Sequence, residues 1–79
     1  MITIYTTPNC TYCVQVKNYL KSLNIDFISY DVSQDIDKKQ EMVSMTGQLG
    51  VPVIRIENDV IIGFNKPKID KILKENNLV

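Results

Sequence analysis

Seventy-nine residues set the scale of one domain, spanning 1–79, with one small core. Nine basic side chains balance nine acidic ones, leaving no net charge with which to hold DNA, RNA or an anionic membrane. The absence of histidine removes Ser-His and Cys-His nucleophiles and most zinc-hydrolase ligand sets.

Ile2 to Thr6 alternates apolar with hydroxyl or aromatic side chains and is rich in β-branched residues, which predicts a central strand. Thr7-Pro8-Asn9 breaks the extended run and delivers the chain to Cys10-Thr11-Tyr12-Cys13. From Cys13, the residues Val16, Leu20 and Leu23 recur at helical spacing, so a helix begins at the cysteines with Cys13 on its apolar stripe. Cys13 is therefore expected to be partly buried and Cys10 more exposed. Asn24 ends that helix before a second strand over Ile25 to Val32.

Ser33 or Asp35 caps a second helix that runs to about Thr46, with Gly47 just past its end. Its expected buried positions are Ile36, Met42, Val43 and Met45. Gly50-Val51-Pro52 introduces a third strand, Val53 to Ile56. Glu57-Asn58-Asp59 is a turn cluster, after which Val60 to Ile62 returns antiparallel. Asn65 caps a last helix with Pro67 in its first turn and Ile69, Ile72 and Leu73 on its buried face. The order β-α-β-α-β-β-α predicts an α/β fold, a four-stranded mixed sheet with three helices, and functional loops at the carboxyl end of the first strand.

Cys10 and Cys13 are the only cysteines. A bridge between them closes too small a loop to staple a fold, so the domain must stand on packing. A helix N-terminus presents free N–H groups to the first sulfur and favours its thiolate, the species that attacks disulfides. The residue pattern thus points to a reactive dithiol. The competing readings are a pair of free core thiols, an inert local disulfide and half of a tetrahedral zinc site. Lys38-Lys39 reads as a solvated helix face. Met1-Ile2-Thr3-Ile4-Tyr5 lacks the basic flank and apolar run of a signal peptide, and no stretch reaches membrane-spanning length. The expected location is cytoplasmic.

With these elements placed, the chain resembles the glutaredoxin branch of the thioredoxin-like fold, close to the NrdH-type redoxins. Cys10-Thr11-Tyr12-Cys13 is similar to the family's C-P-Y-C, with Thr11 in place of proline. Gly50-Val51-Pro52 is similar to its T-V-P, and Gly63-Phe64 falls where glutaredoxins carry Gly-Gly. Two expected glutathione contacts are missing. No carboxylate follows in Gly63-Phe64-Asn65-Lys66, and Thr6 and Thr7 stand where a lysine often precedes the cysteines. Gly-Phe is similar to the NrdH-type pattern, although Ile61 and Ile62 replace the aromatic and serine usual before it.

The resemblance implies Cys10 as nucleophile and Cys13 as resolving thiol, with no bound cofactor beyond the redox-active disulfide. For Pro52, the residues alone leave cis and trans open; the resemblance implies cis, with Val51 free to pair with an extended substrate. Thr11, Tyr12, Val51, Pro52, Gly63 and Phe64 are the expected substrate-binding residues, although Phe64 serves equally as a core aromatic. Implied partners are disulfide-containing proteins, ribonucleotide reductase among them, with thioredoxin reductase or glutathione as donor and a monomer as the simplest state. A non-catalytic binding module using Tyr12, Val51 and Phe64 is the alternative from another class.

Overall fold

The computed structural model describes residues 1–79. Its elements are β1 (Ile2–Thr6), α1 (Thr11–Ser22), β2 (Ile28–Asp31), α2 (Ile36–Thr46), β3 (Val53–Ile56), β4 (Asp59–Ile62) and α3 (Lys66–Glu75). The strands lie in the order β2-β1-β3-β4, so β1 is interior, parallel to β2 and antiparallel to β3. β4 closes the hairpin with β3. This is the four-stranded mixed sheet with three helices that the element order predicts, in the thioredoxin-like arrangement that the resemblance implies.

Strand alternation divides the core in two. Ile2, Ile4, Ile54, Ile56 and Ile61 face Val16 and Leu20 of α1 and Ile69, Ile72 and Leu73 of α3 in the larger cluster. Tyr5 and Val53 point the other way, onto Val32 and Met42 of the α2 side. Burying each large aliphatic side chain contributes about 2 kcal/mol, which is how so small a chain stands on packing alone.

Helix ends follow from local chemistry. The Asp35 side chain accepts from the Lys38 amide at 3.1 Å and the Asn65 side chain from the Lys68 amide at 3.3 Å. Gly47 ends α2 at φ 68, where a residue with a Cβ would be strained. Two side-chain bonds tie elements across the fold: Tyr5 of β1 donates to Glu41 of α2 at 2.5 Å, and Tyr19 of α1 donates to Asp70 of α3. Burial, and then the Glu41 bond, pushes the Tyr5 hydroxyl up to about 12. The same bond, together with Lys38 at 3.1 Å, holds the Glu41 carboxyl below its usual range.

Four expectations need correction. β2 begins at Ile28 rather than Ile25, because the Thr3–Ile28 pairing lies near the start of β1 and leaves the preceding residues no ladder partner. Ile25 and Phe27 still pack on the larger cluster, and the Ile25 amide still bonds the Leu20 carbonyl at 3.0 Å. Leu23 is the exposed C-cap of α1, since the chain turns there before reaching the core again at Ile25. Ile36 is exposed; at about 100° per residue it shares a face with Val43, turned away from that of Met42. The hairpin turn is Glu57-Asn58, with Glu57 at φ 53 and Asp59 already paired with Ile56.

Candidate active site

Sheet register assembles the site. Pairing of Tyr5 with Val53 sets Val51-Pro52 beside the carboxyl end of β1, from which the chain runs to Cys10. Pairing of Val53 with Ile62 brings Gly63 alongside, where its amide donates to the Pro52 carbonyl at 2.8 Å. Three segments distant in sequence thus meet at one end of the sheet, as the α/β crevice rule requires.

Cys10 is the N-cap of α1, and its sulfur accepts from the Cys13 amide at 3.1 Å. Asp or Ser normally performs this service, so the sulfur occupies a position built to hold negative charge. No acidic side chain stands in the first turn to compete. Cys10 and Cys13 form a disulfide with Cα atoms 5.2 Å apart. Cys10 is half-buried, whereas Cys13 is only 1% exposed, more deeply covered than its place on the stripe suggested. A cavity of about 300 Å³ nevertheless reaches Cys13, lined also by Thr6, Lys17, Ser29 and Asp31. The structure holds no cluster of three His, Cys, Asp or Glu side chains able to grip a metal.

The Val51–Pro52 bond is cis. Pro52 is buried and Val51 half-buried against the smaller cluster, and the backbone N–H and C=O of Val51 make no hydrogen bond within the protein. Thr11 is exposed and Tyr12 is 61% exposed beside the sulfurs. Gly63 adopts φ 81, which explains the glycine. Phe64 is half-buried on the larger cluster, its ring centroid 6.0 Å from that of Tyr19, and Lys66 sits over the other ring at 5.1 Å. Cys10, Cys13, Tyr12, Val51, Pro52 and Gly63 therefore share one end of the sheet, while Phe64 leans from that end onto α1.

Two residues beside the site, outside the dithiol machinery itself, escape motif reading. The Gln48 side chain clasps Gly50, its Oε1 accepting from the Gly50 amide at 2.5 Å and its Nε2 donating to the Gly50 carbonyl at 3.1 Å. Leu49, between them, is 62% exposed. A usable signal is the distribution of charge: residues 1–16, 42–54 and 60–65 contain no Asp, Glu, Lys or Arg, and these are the segments that converge on the dithiol.

A dithiol capping a helix at the carboxyl end of an interior strand, beside a loop with open backbone groups, exchanges electrons as two thiols for one disulfide. That defines a thiol–disulfide oxidoreductase of thioredoxin-like fold. The chain belongs to the glutaredoxin family, whose model matches residues 2–61. It is 49% identical over 75 residues to an uncharacterized glutaredoxin-like 8.6 kDa protein in the rubredoxin operon of Clostridium pasteurianum, covering 95% of this chain and 100% of that one. The thioredoxin-like protein BC3987 superposes with a TM-score of 0.86 at 30% identity, over 92% of this chain and 100% of that one. The NrdH-redoxin of Escherichia coli superposes with a TM-score of 0.76 at 25% identity, over 90% of this chain and 92% of that one.

Proposed function

We propose that residues 1–79 act as a single dithiol redoxin that reduces protein disulfides and is recharged by thioredoxin reductase. Cys10, half-buried and held as the helix cap, attacks one sulfur of the substrate disulfide and forms a mixed disulfide. Cys13 then attacks the Cys10 sulfur, expels the substrate thiol and closes the Cys10–Cys13 bridge. Val51 offers its free backbone groups to an extended substrate segment, as in strand addition, with Pro52 and Gly63 holding that edge in place. Tyr12 and Thr11 face the partner from the other side of the sulfurs. Phe64 contributes to the docking surface near Gly63.

The observation that carries this reading is the lack of charge in the three segments that converge on the dithiol, residues 1–16, 42–54 and 60–65. A tripeptide such as glutathione is gripped through its charged ends, and the charges that line the neighbouring cavities, Lys17 with Asp31 and Lys39, lie outside those segments. Lys66, which stands where the family's aspartate would be needed, lies over Tyr19, and Asn65 caps α3. The E. coli NrdH-redoxin, glutaredoxin-like yet with a thioredoxin-like activity profile, is the relative whose behaviour fits. Ribonucleotide reductase is the proposed client and the cytoplasm the proposed compartment; no helix is long and apolar enough to cross a membrane.

The test is NADPH-coupled reduction of a protein disulfide with thioredoxin reductase in one arm, and glutathione with glutathione reductase in the other. Turnover is expected in the first arm only. Turnover with glutathione alone makes the chain a glutathione-dependent glutaredoxin, and silence in both returns it to a binding module. Cys10→Ser should abolish turnover and Cys13→Ser should trap mixed disulfides. Undiminished turnover without Cys13 would sink the dithiol mechanism.

A further inference from the structure

The loop that carries Val51 also walls a second depression. A cavity of about 240 Å³ is lined by Thr7, Val32, Ser33, Lys39, Met42 and Leu49. Its lining includes Val32 and Met42, both members of the smaller core cluster and both buried. One wall is Leu49, an aliphatic side chain left 62% exposed. The other is Thr7, three residues before Cys10. Thr7 also lines the cavity that reaches Cys13, and Leu49 stands two residues before Val51, so the depression borders both that cavity and the loop that carries Val51.

Leu49 belongs to neither core cluster. It is held there by its neighbours: Gln48 clasps Gly50, and the Thr46 hydroxyl donates to the Met42 carbonyl at 2.8 Å and accepts from the Gln48 amide at 3.4 Å. The loop is thus pre-organised with an apolar side chain beside a hole of side-chain size. A substrate strand laid along Val51 sends alternate side chains to opposite faces, and one of those faces is the side of Val32 and Met42.

We infer that this cavity is a specificity pocket for one apolar side chain, of Leu size, on the substrate segment that carries the target disulfide. The inference rests on the reading of Cys10 and Cys13 as attacking and resolving sulfurs. It adds a substrate class: protein disulfides flanked by an apolar residue. Lys39 is the one charged group on the rim, and a carboxylate-bearing occupant is the alternative that the experiment must separate.

The probes are short peptides whose cysteine is activated as a mixed disulfide with 2-thiopyridine, carrying Leu, Ala, Asp or Lys at neighbouring positions. The Cys10 thiol attacks the peptide sulfur, and thiopyridone leaves with the bonding pair and the Cys10 proton. Cys13 then attacks Cys10, giving the intramolecular disulfide and the peptide thiol. The two-electron oxidation of the protein matches the two-electron reduction of the probe. Dithiodipyridine, which has no side chain, is the control.

In stopped-flow mixing with reduced protein, one placement of Leu should react about tenfold faster than Ala, the discrimination an apolar pocket provides. Leu49→Ser should remove that preference, and Leu49→Met should keep it. Both variants should react with dithiodipyridine as the parent does. Equal rates for all peptides, or a preference for Asp, would overturn the pocket while leaving the redoxin reading intact. A dithiodipyridine rate no faster than that of free cysteine would instead overturn the redoxin reading.

Discussion

Replacing Gly50 by alanine should change sign according to the residue at position 48. A Cβ on Gly50 would stand 2.6 Å from Gln48 Oε1 and far from any backbone atom, so the added methyl must eject the Gln48 amide from its clasp. Two bonds are then lost, from the Gly50 amide at 2.5 Å and to the Gly50 carbonyl at 3.1 Å. At an exposed loop each contributes about 0.5 kcal/mol net, a loss of about 1 kcal/mol. Gly50 does not occupy the left-handed region, so alanine there also gains about 0.5 kcal/mol by narrowing the unfolded ensemble. In the parent the sum is a net loss of about 0.5 kcal/mol. In Gln48→Ala the clasp is already gone, and the same substitution should stabilise by about 0.5 kcal/mol. Thermal unfolding of the four proteins reads this directly, since 1 kcal/mol moves the midpoint by about 5 °C in a domain of this size. Gln48→Ala should also slow reduction of a protein disulfide without slowing reduction of dithiodipyridine, because only the protein substrate uses the loop. Additive effects of equal sign in both backgrounds would refute the clasp.

Two further outcomes test the frame around the site. The Tyr5 hydroxyl is raised to about 12 against about 10 in the unfolded chain, so the folded state holds that proton more tightly. Its contribution is intact below pH 10 and lost as pH rises towards 12. The full shift corresponds to about 2.7 kcal/mol. Because Glu41, its partner, is 37% exposed, screening reduces this to about 1 kcal/mol. Tyr5→Phe should be the less stable protein at neutral pH and should close the gap between pH 10 and 12 in urea titrations; parallel curves would contradict the assignment. Gly63→Ala meets no atom within 4 Å, so its cost of about 1 kcal/mol should come from φ 81 alone, and Gly63→Asn should recover part of it in thermal melts.

Local chemistry, written in short stretches of chain, made much of this protein legible without coordinates. The Ile2–Thr6 strand, the caps at Asp35 and Asn65, the stop at Gly47 and the dithiol at a helix start each depend on residues within one or two turns of each other. So does the element order, and with it the mixed sheet with three helices. What the sequence alone did not reveal was everything set by partners far along the chain. Ile25 and Phe27 carry strand character, yet they lie before the first rung of β1–β2 pairing and meet the core through their side chains, without a ladder partner. Ile36 has the right spacing for a buried stripe, but which face of α2 meets the sheet was decided by Met42 settling on Tyr5 and Val53. The depth of Cys13, the meeting of Val51 and Gly63 at the end of β1, and the exposure of Leu49 above Met42 all follow from sheet register. Register is a property of hydrogen-bonded pairs of strands, so no single segment encodes it.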